Sequence, residues 1–105
     1  MTALPLAGFV ALSSALFAVG LFGILTRRNF ILVLIAIEIA MNAAILNFVY
    51  FGAFASGPGG LTGGAIAVVL IGFAATEVAV GLAIVLALNR LKGTINVAQA
   101  NELKL

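Results

Sequence analysis

The stretch that decides the fold is Asn29–Phe54, NFILVLIAIEIAMNAAILNFVYFGAF, in which Glu38 is the only charged residue. A second stretch, Ala65–Leu88, is also apolar and has Glu77 as its only charge. Each is long enough to cross a bilayer as a helix, which takes about 20 residues. An ionisable side chain at that depth costs at least about 2.5 kcal/mol on insertion scales and by default marks an ion or proton path. We therefore predict that protons cross the membrane, or move along it, at these two glutamates.

The composition predicts an integral membrane protein that forms one domain over residues 1–105. The chain is 65% hydrophobic and only 8% charged, whereas soluble domains carry about 25% charged residues. It contains no cysteine and no histidine, which excludes a disulfide framework and the usual haem, iron–sulfur and zinc sites. We expect the chain to bind no cofactor and no metal. The few basic residues lie at segment ends, which argues against a nucleic-acid partner.

The apolar segments predict an all-α membrane protein with three transmembrane helices, at about residues 5–26, 30–54 and 65–89. Pro5 suits the first position of a helix, where its missing N–H is not needed. Asn29 is a suitable cap for the second helix. The glycine-rich segment Ser56–Gly64 is predicted to be a flexible turn before the third helix.

The basic residues predict the orientation of the three spans. Arg27 and Arg28 follow the first span, and the other basic residues follow the third: Arg90, Lys92 and Lys104. With three spans, these two regions lie on the same side of the membrane. The positive-inside rule then places the N-terminus outside, in the periplasm, and the C-terminus in the cytoplasm. The short cytoplasmic tail, residues 93–105, is expected to be a frayed end or to dock on the cytoplasmic face of a partner.

Each glutamate shares its helix face with different neighbours. Residues four apart lie on one face of a helix, so Glu38 lies with Leu34 and Asn42. Asn42 is a candidate to hydrogen-bond Glu38 or a water beside it, and its alternative role is a structural interhelical hydrogen bond. The opposite face carries a stripe of small residues that leads to Asn47: Ala36, Ala40, Ala43 and Ala44.

The third helix repeats this arrangement. Gly81 lies one turn after Glu77 on the same face and leaves room there, and a small-residue stripe lies opposite: Gly72, Ala75, Ala79 and Ala83. Small stripes let helices approach closely in lipid. Three helices can hardly bury two polar and two small faces among themselves. We therefore expect the chain to be one subunit of a larger membrane assembly, or a homo-oligomer.

Both carboxylates are predicted to lie at comparable, mid-membrane depths. At 1.5 Å per residue, Glu38 lies about 15 Å along its helix from Arg28, and Glu77 about 20 Å from Arg90. Apolar surroundings favour the neutral form of a carboxyl group, which suits groups that take up and release protons. The alternative is a structural carboxyl group that is hydrogen-bonded to a neighbouring helix. Likewise, the arginine pair is either a topology signal or a contact to a cytoplasmic partner.

Several motifs together resemble a known family. They are GLFGILTRRN at Gly20–Asn29, IEIAMNA at Ile37–Ala43, Asn47-Phe48, and AATEVAVGLA at Ala74–Ala83. In this combination, and over nearly the whole length, the chain resembles subunit K of the proton-pumping NADH:quinone oxidoreductase, complex I.

The resemblance implies a small membrane-arm subunit with no redox activity of its own. NADH, FMN, iron–sulfur clusters and quinone would be handled by other subunits, and subunits A, J and N are the expected neighbours. Glu38 and Glu77 match the glutamates thought to relay protons or charge from quinone reduction to the antiporter-like pumps. Arg27 and Arg28 match the basic cytoplasmic loop that has been tied to activity. The expected location is the bacterial plasma (inner) membrane, with an organelle membrane as the alternative.

Two other functions compete with this interpretation. The small subunit of multisubunit sodium/proton antiporters shares the three-span plan and a similar basic loop, but that family is understood to lack the second glutamate, so Glu77 argues against it. A non-catalytic assembly subunit is the other alternative. It would leave two lone membrane glutamates unexplained.

Overall fold

Three long helices and one short helix make up the described part of the chain. The computed structural model describes residues 5–54, 59–93 and 96–100. Over these residues the elements are α1 (Leu6–Thr26), α2 (Phe30–Phe54), α3 (Gly59–Lys92) and α4 (Val97–Ala100). Helices α1, α2 and α3 are each long and apolar enough to cross a membrane. The predicted all-α architecture with three transmembrane helices is therefore confirmed.

Helices α1 and α2 begin next to the residues predicted to start them, Pro5 and Asn29, but Pro5 lies one position before the helix. Pro5 precedes α1 as its cap, with φ −62° and ψ 149°, and is not its first helical residue. Its carbonyl accepts a hydrogen bond from the Gly8 N–H at 2.9 Å. Asn29 caps α2 as predicted, because its Oδ1 accepts a hydrogen bond from the Ile31 N–H at 2.9 Å.

The predicted glycine-rich turn is wrong over most of its length. Residues 55–58 lie outside the described residues, but the chain is already helical from Gly59. A Cβ on Gly63 would lie 2.8 Å from the Gly52 Cα atom, so the two backbones nearly touch at this point. Contact with α2 thus outweighs the low helix propensity of glycine, which costs about 1 kcal/mol per residue. Helix α3 consequently begins before the predicted start at residue 65 and ends at Lys92.

The α1–α2 interface is a close contact between small residues. A Cβ on Gly20 would lie 2.7 Å from the Ala40 nitrogen and 2.8 Å from the Ala36 oxygen. Ala36 and Ala43 are buried there, with 5% and 2% of their surface exposed. The prediction that the alanine stripe of α2 packs on a helix is confirmed, and that helix is α1. Ala44, at the edge of the stripe, remains exposed.

The α2–α3 interface uses residues of α3 that the sequence did not single out. Ala67, Ala74 and Val85 are the residues of α3 that are buried, and Ile45 of α2 packs with the two alanines. The small stripe of α3, which contains Gly72 and Ala75, is exposed in the single chain, in agreement with the expectation that the chain cannot bury all of its small and polar faces alone. A Cβ on Gly72 would have no atom within 4 Å. That stripe therefore lies outside the packing of this chain.

The tail returns to the loop between α1 and α2, whereas the sequence analysis expected a frayed end or docking on a partner. Asn96 pairs with Asn29 in an isolated antiparallel bridge, and the Val97 N–H donates a hydrogen bond to the Arg28 carbonyl at 2.6 Å. Gly93 makes the reversal after α3 with a φ of 66°, a left-handed conformation that glycine adopts most readily. The beginning of the tail is therefore tied to its own chain.

Candidate functional site

The antiparallel register of α2 and α3 places the two glutamates at the same level. Gly81 contacts Leu34, since a Cβ on Gly81 would lie 2.5 Å from the Leu34 Cδ2 atom. Near the other end of the interface, Gly63 contacts Gly52 in the same register. Four residues beyond Leu34 on α2 is Glu38, and four residues before Gly81 on α3 is Glu77. The comparable depths predicted from the sequence agree with this register.

The side chains of both glutamates line one cavity between α2 and α3. The cavity has a volume of about 170 Å³, and one water needs only about 10–15 Å³ of such space. We call it the glutamate cavity. Its other lining residues are all apolar: Leu34, Ile37, Val78, Val80, Gly81 and Ile84. Glu38 is half-buried, whereas Glu77 is exposed in the single chain. The structure thus brings together two residues that lie far apart in the sequence.

Each glutamate also lines a second hollow, on its far side. Glu38 lines a groove with Val78 and Leu82, bounded on α2 by Ile31, Leu34, Ile35 and Ile39; we call it the Leu82 groove. Glu77 lines a groove with Phe73, Thr76 and Val80, which we call the Thr76 groove. Val80 and Leu82 project on either side of Gly81, because successive helical residues are about 100° apart. The Leu82 groove and the glutamate cavity therefore share Glu38 at the α2–α3 interface, and the glutamate cavity shares Glu77 with the Thr76 groove, which lies on α3 alone.

The structure places the other candidate residues outside the glutamate cavity. Asn42 lies one turn beyond Glu38 and is exposed, and the described residues that line the cavity do not include it. Arg27 and Arg28 are exposed in the loop after α1, far along the helices from both carboxylates. Among the described residues, those that line the cavity include no basic side chain.

Two features of the site were not anticipated from the sequence. Leu34 occupies the space that Gly81 leaves, and together they close the cavity on one side. Thr76 shares the outer groove with Glu77, although its hydroxyl also donates a hydrogen bond to the Gly72 carbonyl at 2.9 Å. The sequence signal for the first was the position of Gly81, one turn after Glu77. For Thr76 the only signal was that it directly precedes Glu77.

Asn47 shows that α2 has a second, separate polar position. It lines a cavity of about 260 Å³ with Ser13 and Ser14 on the α1 side. Its Oδ1 atom is buried and accepts no hydrogen bond from the described residues. Ser13 is buried and donates a hydrogen bond to the Val10 carbonyl at 3.0 Å. This position faces α1, on the opposite side of α2 from the glutamate cavity.

The fold and the site together define a class of protein. It is a small multi-pass membrane protein with two carboxylates at one level in a shared, otherwise apolar cavity. The chain belongs to the family described as NADH-ubiquinone/plastoquinone oxidoreductase chain 4L, which matches residues 8–105. The family resemblance seen in the sequence is therefore confirmed.

Similar proteins from several bacteria carry the same name. The chain is 43% identical to NADH-quinone oxidoreductase subunit K of Bacillus anthracis (strain CDC 684 / NRRL 3495) over 104 residues, or 99% of both chains. It is 40% identical to the subunit K of Geobacillus sp. (strain WCH70), again over 99% of both. With the subunit K of Anaeromyxobacter sp. (strain K), the identity is 43% over 95% of this chain and 98% of that one.

Proposed function

We propose that the chain is a membrane-arm subunit of a proton-translocating NADH-quinone oxidoreductase, in which Glu38 and Glu77 relay protons or charge. The observation that carries the proposal is that the side chains of both glutamates line one cavity between α2 and α3. Two groups at one level suit transfer along the membrane plane better than transfer across it. The relay would connect quinone reduction on one side of the subunit with the antiporter-like pumping subunits on the other.

The order of the hollows supports a lateral route. A proton would enter from the Leu82 groove, reach Glu38, pass through the glutamate cavity to Glu77 and leave through the Thr76 groove, or travel in reverse. Each glutamate lines two successive hollows, so a rotation about its side-chain bonds is enough to present the carboxyl group to the next one. The cavity volume allows water to bridge the two groups.

Electrostatics would couple the two groups. Two unit charges interact more strongly where the effective dielectric constant is low. At a dielectric constant of about 20 their interaction energy is about four times that in bulk water. Two ionised carboxylates in one apolar cavity would therefore repel each other, and the arrival of a proton at one would change the charge that the other can hold. In this way a change at one end of the pair would be transmitted to the other end without an electron carrier.

The remaining parts of the proposal concern the setting of the subunit. The basic loop and the basic end of α3 support an N-terminus in the periplasm and a C-terminus in the cytoplasm of a bacterial inner membrane. Subunits A, J and N would be neighbours, and NADH, FMN, iron–sulfur clusters and quinone would belong to other subunits. Asn42 would support Glu38 through a hydrogen bond or a water, and Arg27 and Arg28 would form the cytoplasmic basic loop.

The proposal is tested by Glu77→Gln in membrane vesicles, which keeps the shape of the side chain and removes its titration. NADH oxidation by quinone and the proton gradient are recorded on the same vesicles. We expect both to fall together, because pumping and electron transfer are coupled. Glu102→Gln is the matched control, since Glu102 is the one other acidic residue of the chain and lies after the apolar segments.

The relay role would be contradicted by a Glu77→Gln complex that assembles and keeps both activities. If the variant retained NADH oxidation but lost the gradient, Glu77 would act in pumping without controlling electron transfer, and the coupling part of the proposal would be wrong. The amount of assembled complex on native gels separates these outcomes from a failure of assembly.

A further inference from the structure

A groove between α1 and α2 has a cation at one end and hydrocarbon side chains along its length. It has a volume of about 330 Å³, and we call it the Arg27 groove. Besides Arg27, the residues that form its walls are Val19, Phe22, Leu32, Ile35 and Ile39. It lies on a different interface from the glutamate cavity, so what it binds does not depend on the proposed relay.

The shape of the groove is a narrow trough that opens sideways. Its floor is the contact between Gly23 and Ala36, since a Cβ on Gly23 would lie 2.7 Å from the Ala36 Cβ atom. The side chains that form the walls are well exposed: the exposed fraction is 57% for Val19 and 63% for Phe22 on α1, and 49% for Ile35 on α2. A trough lined by hydrocarbon side chains suits an apolar ligand, such as a flexible alkyl chain.

The cation lies at the depth of lipid headgroups. Arg27 is the residue directly after α1, where it caps the helix, and its side chain is exposed. From Arg27 the trough extends to Val19, about 12 Å deeper at 1.5 Å per residue. Half of the hydrocarbon core is about 15 Å thick. The trough therefore extends from the interface through most of one leaflet.

We propose that the Arg27 groove binds one anionic phospholipid. The guanidinium of Arg27 would hold the phosphate, with which arginine forms paired, charge-assisted hydrogen bonds, and one acyl chain would lie along the trough. Basic pockets between transmembrane helices are known to bind anionic headgroups. Charge complementarity at the mouth and the apolar walls below it both point to this ligand.

Photolabelling of the whole complex in its membrane tests this site. The probes are a phosphatidylglycerol and a phosphatidylcholine that carry the same diazirine midway along one acyl chain, and the labelled peptides are identified by mass spectrometry. We expect the phosphatidylglycerol probe to label α1 and α2 at the trough about fivefold more, which corresponds to about 1 kcal/mol for one cation near the surface. Arg27→Gln should reduce this ratio to about one, and Arg28→Gln should leave it unchanged.

A second pair of variants tests the trough itself. Val19→Trp fills it and should reduce labelling by both probes, while Leu21→Trp, at a position that is 44% exposed and outside the groove lining, should not. The proposal is overturned if both probes label the trough equally, if Arg27→Gln leaves the ratio unchanged, or if a partner subunit covers the trough and excludes both probes. Should Arg27→Gln prevent assembly, the Val19→Trp and Leu21→Trp pair decides the matter.

Discussion

The two interfaces of α2 use small residues for opposite purposes. On the α1 side, Gly20 and Ala36 bring the backbones so close that no Cβ can be added at Gly20 without contact below 3 Å with main-chain atoms. On the α3 side, the space at Gly81 is occupied by the flexible end of Leu34, and a cavity with two carboxylates lies beside it. The contact at Gly20 is thus closed and structural, whereas the level of the two glutamates on the α3 side retains space in which side chains and water can move.

This difference explains how one helix can serve both stability and function. A close contact between helices in lipid depends on van der Waals packing, which small residues allow. A proton path needs room for water and rotation, which loosens packing. The chain places these two demands on opposite faces of α2, so a substitution on one face should affect assembly and a substitution on the other should affect turnover.

The largest expected effect is the loss of assembly when the closed interface is overfilled. Gly20→Ala adds a Cβ that would lie 2.7 Å from the Ala40 nitrogen and 2.8 Å from the Ala36 oxygen, and backbone atoms cannot move aside as a side chain can. Overpacking of this kind costs about 1–3 kcal/mol. The amount of complex on native gels should fall severely. Gly64→Ala, where the added Cβ meets no atom within 4 Å, is the control; equal amounts of both variants would contradict a closed interface.

The next effect is the loss of turnover when a carboxyl group on the open face is removed. Glu38→Gln should leave the complex assembled but reduce quinone reductase activity and proton pumping by about tenfold or more, since a group that transfers protons contributes typically 10²–10⁴-fold to its step. Glu38→Asp, which keeps the titration on a shorter side chain, should recover part of the activity. If Asp were no better than Gln, shape rather than titration would be the property that matters.

A smaller effect is expected for Gly81→Ala on the α3 side of α2, which can be compared with the same substitution at Gly20 on the α1 side. Gly81→Ala should be tolerated better than Gly20→Ala, because the atom in its way is a terminal methyl group of Leu34. A displaced rotamer costs about 0.5–1.5 kcal/mol. The complex should assemble and turnover should fall a few-fold as Leu34 moves into the glutamate cavity. Adding Leu34→Ala should restore activity, and a defect that persists in the double variant would argue against this cause.

The smallest effect is expected at Asn42, which is exposed one turn from Glu38. Asn42→Ala should lower turnover by about threefold at most, which corresponds to the average of about 0.6 kcal/mol for a hydrogen bond between membrane helices. NADH oxidation by quinone in vesicles measures it. A loss as large as that of Glu38→Gln would make Asn42 a member of the relay and not a supporting group.

The sequence predicted what depends on local properties of the chain. The three spans follow from length and apolarity, the cap at Asn29 from its short polar side chain, and the similar depths of Glu38 and Glu77 from the rise per residue. The small stripe of α2 was also predicted correctly as a packing face. These features need no knowledge of which helix meets which.

What the sequence did not predict depends on contacts between distant segments. Helical periodicity shows which residues share a face, but it does not show which face meets a neighbour, so Ala67 and Ala74 were missed as the packing residues of α3. The helical start at Gly59 depends on the contact of Gly63 with Gly52. The bridge between Asn96 and Asn29 joins the tail to the loop between α1 and α2 and leaves no periodic signal at all.

The coupling between the two glutamates is the most direct test of the account. Turnover and proton pumping are measured in vesicles with Glu38→Gln, with Glu77→Gln and with both substitutions, at matched amounts of assembled complex. If the two carboxyl groups act in series through one cavity, the double variant should be no worse than the more severe single variant, because residues that act as a unit are strongly non-additive. If the two losses instead multiply, the glutamates act independently, and the shared cavity is not a relay.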